Sequence, residues 1–277
     1  MDTISKRAIC VMVIGKKYQK QFSYVKPQFE AYAKKYSATL HIIDTIPDPT
    51  FHRPLLAQKL LIPHLTQQYD LVLFLDLDIL ISENAPDVFN ELNDDKAFGA
   101  ILDARGSEEF IQTWKADQRI IDETNLSYFT SRNFEASDKL YGCINGGVFI
   151  YRPTSVSKMF NDYYYSNHDQ GAFNSYEETP MAYYTQVNNL FQALDSRYNL
   201  QIMYKLKGTH GGQEIMRKER KIPKFLRKLY YKTNNCKFIP LKAYKELTDK
   251  LLTECYLLHF AGKYPFNFKI GKTIQHQ

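Results

Sequence analysis

The sequence predicts an α/β protein with a mostly parallel central sheet flanked by helices, and three observations carry that prediction. Leu71 to Leu75 is an unbroken apolar run of strand length, the signature of a strand covered on both faces. Strand-like and helix-like segments alternate through the amino-terminal third, as in βαβ architecture. A pair of aspartates, Asp76 and Asp78, stands at the carboxyl end of the apolar run, where open α/β sheets place their ligand sites.

The elements follow in order. Ala8 to Ile14 (AICVMVI) reads as a buried strand ended by Gly15, residues from about Gln19 to Lys35 carry helix-spaced apolar positions, and Leu40 to Ile43 makes a second strand. Pro47, Pro49 and Pro54 mark a loop, and Leu55 to Gln67 reads as a helix leading into the stretch Tyr69 to Ile81. Ala97 to Leu102 is a short strand closing on Asp103, and Arg105 to Lys139 reads as loops or short helices over the sheet. Gly142 to Tyr151 places Asn145, Gly146 and Gly147 just before a further strand, where two glycines either make a plain turn or let the backbone approach something closely. Tyr256 to Phe260 (YLLHF) is a last short strand.

At 277 residues the chain is long enough for one large α/β domain or two small ones, and 44% hydrophobic residues are ample for a packed core. A net charge of +6 favours an acidic partner: a nucleotide diphosphate, an anionic membrane surface or nucleic acid. Cys10, Cys143, Cys236 and Cys255 are scattered without zinc spacing, which argues against structural zinc and for a reduced compartment. No apolar stretch is long enough to span a membrane and no signal peptide is legible, so the expectation is a soluble cytoplasmic protein. Gly-x-Gly-x-x-Gly and Walker loops are absent, which disfavours dinucleotide binding and P-loop chemistry.

Asp76 and Asp78 interrupt a hydrophobic segment, since Leu77, Ile79, Leu80 and Ile81 are all apolar. Residues i and i+2 of an extended backbone project to the same side. The two carboxylates therefore either end a strand towards solvent or converge on one divalent cation, which would offset the cost of placing charge there. Glu177 and Glu178 read by default as a solvated face. His259, alone in an apolar run, reads as a hydrogen-bonded core histidine or as a ligand.

The order of the pieces adds to this. Gln58-Lys59-Leu60 ahead of a helix, Asp76-Leu77-Asp78, Asp103 after a short strand, Asn145-Gly146-Gly147-Val148-Phe149, Asp169-Gln170-Gly171 with Asn174, and His259-Phe260 followed by Gly262-Lys263 and Pro265 succeed one another along the chain. Together they resemble the retaining GT-A glycosyltransferases of the glycogenin and bacterial lipopolysaccharide galactosyltransferase type, from the first strand to about Phe268. The resemblance implies a Rossmann-like sheet, with about 1–104 as the nucleotide-sugar half and about 105–277 as the acceptor half. It implies Mn²⁺, with Mg²⁺ as the alternative, held by Asp76, Asp78 and His259 on the diphosphate of a UDP-sugar.

By the same resemblance Lys59 reaches the donor, Asp103 and Asn145 hold donor-sugar hydroxyls, and Gly146 and Gly147 make room beside the sugar. Asp169 and Gln170 lie near the reacting carbon, Gly262 and Lys263 belong to a loop over the diphosphate, and Tyr18 lies beside the nucleobase. The implied reaction moves a hexose, glucose or galactose, to a glycan, glycolipid or protein acceptor with retention of configuration. The segment Glu177-Glu178-Thr179-Pro180-Met181 also resembles a site segment of some related transferases. The chain departs from the family at Ile14-Gly15-Lys16, where a polar step is usual, and at Lys263-Tyr264-Pro265-Phe266, which carries an extra residue and a different aromatic.

Between Lys205 and Lys232 ten Lys/Arg face two acids, with Ile, Met, Phe, Leu and Tyr interleaved. This basic amphipathic segment reads either as a solvated helix face or as a patch for an anionic membrane surface, which would make the protein peripheral to a membrane. Two competing functions remain at this level. A sugar nucleotidyltransferase would want a Gly-rich basic loop after the first strand, and Gly15-Lys16-Lys17 is poor in glycine; a nucleic-acid-binding protein would want a recognised motif, and none accompanies the local charge.

Overall fold

The structure, a computed structural model, describes residues 5–166, 176–226 and 239–261. Its principal sheet has six strands in the order β2-β1-β3-β6-β5-β7: β1 (Arg7–Met12), β2 (Ala38–Ile43), β3 (Leu71–Leu75), β5 (Phe98–Leu102), β6 (Ile144–Tyr151) and β7 (Phe191–Ala193). β1 pairs in parallel with β2 and β3, and β5 with β7, while β6 runs antiparallel between β3 and β5. The central sheet is thus mostly parallel, with one reversed strand.

Both faces of this sheet are apolar, and the period of two shows it. Ala8, Cys10, Val72, Phe74, Phe149 and Tyr151 pack into one core with helices α6 (Pro153–Tyr165) and α7 (Glu178–Val187). Ile9, Val11, Leu71, Leu73, Leu75 and Ile150 pack into a second core against Phe22, Val25, Phe29 and Tyr32 of α1 (Lys16–Lys35). Every residue of β3 is buried, so the unbroken apolar run has the two-sided cover it predicts. Cys10, Cys143 and Cys255 are buried free thiols.

A second, three-stranded sheet crosses the end of the first: β4 (Ile79–Ile81), β9 (Leu257–His259) and β8 (Leu200–Gln201), with β9 in the middle. It rests on a third core formed with α8 (Ile202–Gly208) and α10 (Ile239–Glu254), through Ile202, Leu206, Leu252 and Leu258. The stretch Tyr69 to Ile81 is therefore two strands in two sheets, joined by a turn at Asp76 to Asp78. The two aspartates converge because the chain turns there, and not through the pleat of one continuous strand.

Two other expectations change. The helix expected over Leu55 to Gln67 is a 3-10 segment, Ala57–Leu61, followed by one α turn, α2 (Ile62–Leu65), which Pro63 opens. Asn145, Gly146 and Gly147 lie within β6 instead of before it. Arg105 to Lys139 forms the expected short helices, α3 (Glu108–Trp114), α4 (Gln118–Asp122) and α5 (Asn125–Thr130).

The basic segment begins in α8, whose Ile202, Tyr204 and Leu206 are buried, and continues in α9 (His210–Arg220). Lys205 pairs with Glu109 at 2.6 Å and Lys218 with Glu214 at 2.6 Å, so part of its charge is matched within the chain. Residues 227–232 lie outside the described residues. Among the described residues no helix is long and apolar enough to cross a membrane.

Candidate metal and nucleotide-sugar site

β3 and β5 are each antiparallel to β6, so their carboxyl ends lie on one edge of the principal sheet with the amino end of β6 between them. Asp76 follows β3, Asp103 follows β5, and Asn145-Gly146-Gly147 opens β6, so three sequence-distant segments share one edge. The pairing of β3 with β6 continues past the strand, since Asp76 N donates to Gly147 O at 2.8 Å.

His259 arrives by the second sheet. It lies opposite Ile79 in the β4–β9 register, and Phe260 N donates to Asp78 O at 2.9 Å. Asp76, Asp78 and His259 offer ligand atoms that all lie within 4.8 Å of one another. His259 Nε2 is 3.5 Å from Asp78 Oδ1. The histidine is buried but is not simply packed among apolar neighbours.

Its ring is held on the other side. Gly147 N donates to Asn145 Oδ1 at 3.1 Å, so that atom is an acceptor; Asn199 Nδ2 donates to it as well at 2.8 Å, which turns Asn199 Oδ1 towards His259 Nδ1 at 2.9 Å. An amide oxygen accepts only, so in the neutral ring Nδ1 carries the proton and Nε2 keeps its lone pair. A Cβ on Gly147 would overlap the imidazole; glycine is needed there to let the ring lie on the strand.

Lys59 lies beneath this cluster, buried, on the 3-10 segment. Its ammonium reaches both oxygens of Asp76 at 3.0 and 3.1 Å, Glu177 Oε1 at 3.0 Å and the carbonyl of Gly146 at 3.0 Å. Burial alone would favour neutral lysine, but Asp76 and Glu177 outweigh it and hold Lys59 charged. Burial pushes the Asp76 carboxyl up, against the pull of Lys59. Burial also opposes ionisation of Asp78, yet an imidazolium at His259, protonated on both nitrogens, donates to it and holds it below the usual range; in the neutral ring Nε2 is bare.

Glu177 and Glu178 are not a solvated face. Glu177 is buried on Lys59. Glu178, the first residue of α7, accepts from Gly146 N at 2.8 Å and faces Asn145 Nδ2 at 3.4 Å. Burial and the neighbouring Glu177 raise its pKa to about 7. A Cβ on Gly146 would lie 2.8 Å from Glu177 Oε1, so the first glycine admits the glutamates as the second admits the histidine.

Beside the cluster opens a cavity of about 480 Å³, whose lining includes Lys17, Tyr18, Gln21, Lys59, Asp76 and Asp78. Tyr18, on the first turn of α1, is thus at its wall. Asp103 stands across β6 from Asp76 and accepts from the Tyr204 hydroxyl at 2.8 Å, with Arg105 at 3.5 Å. Asn145 is committed to Gly147, Asn199 and Glu178 through its own hydrogen bonds. Asp169, Gln170, Gly262 and Lys263 lie outside the described residues.

The donor set suits a divalent cation. Asp76, Asp78 and Glu177 outnumber the ammoniums of Lys59 and, at the cavity wall, Lys17, an excess of negative charge that a cation would neutralise. Two carboxylates with one bare imidazole nitrogen make a mixed oxygen and nitrogen set, which suits Mn²⁺ better than Ca²⁺.

The sequence matches no family model and no curated protein. The fold does match solved structures. An active-site mutant of LgtC superposes with a TM-score of 0.51 at 13% identity, covering 93% of this chain and 88% of that one. A glycosyltransferase involved in the glycosylation of the major capsid of PBCV-1 gives 0.50 at 12% identity, over 92% and 95%. The bifunctional glycosyltransferase WbbM gives 0.52 at 11% identity over 96% of this chain, which spans 47% of that one. The fold is GT-A-like, as the sequence predicts.

Proposed function

We propose that this chain is a metal-dependent glycosyltransferase that moves a hexose, glucose or galactose, from a UDP-sugar to a glycan, glycolipid or protein acceptor with retention of configuration. The observation that carries this reading is the convergence of Asp76, Asp78 and His259 beside an open cavity at the carboxyl edge of the sheet. The likeness of fold to glycosyltransferases supports it.

Asp76, Asp78 and His259 would hold the metal, Mn²⁺ by its donor set, and when bound it supplies a Lewis acid for the charge that develops on the departing diphosphate. Tyr18 offers a ring to the nucleobase at the cavity wall. Lys17 adds positive charge at the same wall, where the diphosphate enters. Lys59 does not need to leave its buried position to act: it fixes Asp76 and the Gly146 carbonyl, and so holds the floor of the sugar position. Gly146 and Gly147 leave room on β6 for Glu177, Glu178 and His259 to lie against the strand. Asp169 and Gln170 remain the proposed residues near the reacting carbon, and Gly262 and Lys263 the proposed loop over the diphosphate.

The test is release of UDP from UDP-glucose and UDP-galactose with Mn²⁺, with EDTA, and in Asp78→Ala. Metal-dependent turnover lost in a folded Asp78→Ala variant is the expected result. Full turnover by that variant would remove the metal site from the reaction, and wild-type protein inert towards both donors would remove the transferase reading.

A further inference from the structure

A second cavity, of about 500 Å³, opens between α3, α4, α5 and α8, a size within the range of about 300–1,000 Å³ of ordinary small-ligand sites. Asp103 stands in its wall. So do Arg105, Trp114, Glu123, Arg132 and Tyr204.

Its position is set by the sheet. Asp76 N donates to Gly147 O and Asp103 N to Cys143 O on the opposite edges of β6, so the two aspartates are separated by about two strand spacings of about 4.8 Å across the sheet and by about 13 Å along it. Across that edge the order is fixed: the first cavity over β1 and β3, then Asn145-Gly146 with Glu178 over β6, then the second cavity from β5 outward. The Asn145 to Gly147 stretch of β6, over which Glu177, Glu178 and His259 lie, is between the two cavities. Asp103 is near enough to Glu178 to influence its charge.

The lining has the chemistry of sugar recognition. Three carboxylates, Asp103, Asp117 and Glu123, are balanced by three guanidiniums, Arg105, Arg119 and Arg132, so the cavity carries no net charge to attract an anion. Planar acceptors and planar donors side by side match the vicinal hydroxyls of a saccharide, and the indole of Trp114 offers an apolar face for its C–H bonds. Glu123 ties Arg105 at 3.0 Å and Arg132 at 2.7 Å, which fixes both guanidiniums in the wall; the buried Nε of each has no hydrogen-bond partner among the described residues.

We propose that this cavity binds the acceptor of the transfer as a neutral oligosaccharide, its reacting end towards Asp103 and the β6 edge and its remaining rings against Trp114. This rests on the glycosyltransferase reading above.

Trp114 is the chain's only tryptophan, so intrinsic fluorescence reports on this cavity without turnover. The wild-type chain is titrated with lactose, maltose and cellobiose, and separately with inorganic phosphate. A saturable change in emission with at least one disaccharide, and none with phosphate, is expected. A flat response to all three sugars, or a response to phosphate alone, overturns the proposal.

Kinetics supply the second reading. Trp114→Ala should raise the KM of the responding disaccharide as acceptor about tenfold, as expected for loss of one aromatic contact, without raising the KM of the UDP-sugar. An equal rise in both constants, or in neither, overturns the acceptor assignment. Wild-type protein that releases no UDP from any donor while Trp114 still responds to sugar would sink the transferase reading and leave the cavity a saccharide site, so the two failures are distinguishable.

Discussion

His259 Nδ1 lies 2.9 Å from Asn199 Oδ1, and that one contact decides which ring nitrogen faces Asp78. The orientation of Asn199 is dictated in turn by a backbone N–H, that of Gly147, through Asn145. A main-chain donor cannot flip, so the chain of bonds leaves Nε2 as the ligand atom. Asn199→Ala should therefore weaken Mn²⁺ binding about 10–100-fold, the usual effect of losing the partner that orients a ligating histidine. Calorimetric titration of the folded variant with Mn²⁺ checks this; unchanged affinity would show that the ring is oriented by packing alone.

Gly147→Ala acts on the same ring from the opposite side. The new methyl group would occupy the space of the imidazole, so either His259 turns away or β6 shifts, and overpacking of this kind costs about 1–3 kcal/mol. The expected outcome is a lower thermal midpoint together with a smaller stabilisation by added Mn²⁺. A variant that loses stability but gains the full wild-type shift on adding Mn²⁺ would place the ligand atoms elsewhere.

Lys59 is a buried cation with three satisfied acceptors, and Asp76 and Glu177 both depend on it. Removing it in Lys59→Met leaves two carboxylates without a counter-charge, and breaking a buried pair costs about 3–5 kcal/mol. Urea unfolding should show that loss, and the double variant Lys59→Met with Glu177→Gln should recover part of it, because one orphaned charge goes with its partner. Additive losses in the double variant would mean that the two side chains do not share one network.

The sequence shows the parts of this architecture that have a period. β1 and β3 are legible because strands covered on both faces are apolar without interruption, and α1 because its apolar positions recur at helical spacing. The second sheet is not, since strands of two or three residues are too short for any period; β4 reads as a continuation of β3 and β8 leaves no trace. The paired aspartates stand out against apolar neighbours, and the ordered set of motifs points to His259. Asn199 carries no local signal: its role exists only because β8 lies beside β9. Glu177 and Glu178 look like ordinary surface acids until β6 supplies two glycines for them to lie against, although Glu177-Glu178-Thr179-Pro180-Met181 is the segment whose resemblance to a transferase site could have found them.

Glu178 gives this site a pH dependence of its own. Burial beside Glu177 raises its pKa from an ordinary 4.5 to about 7, so between those values the folded chain binds a proton that the unfolded chain has released. The resulting stabilisation is fully present below about pH 4.5 and is lost as the pH rises through about 7. Glu178→Gln keeps an acceptor for Gly146 N and cannot ionise. Its stability relative to wild type should therefore be nearly level below about pH 4.5, grow in its favour from there to about pH 7 and hold constant above, by on the order of 2 kcal/mol once partial exposure is allowed for. Unfolding midpoints of both proteins, measured from acid to mildly alkaline pH, test the sign as well as the size: a difference that stays constant across that range, or that favours wild type as the pH rises, would mean that Glu178 is held ionised and that the charge around Gly146 is arranged to keep it so.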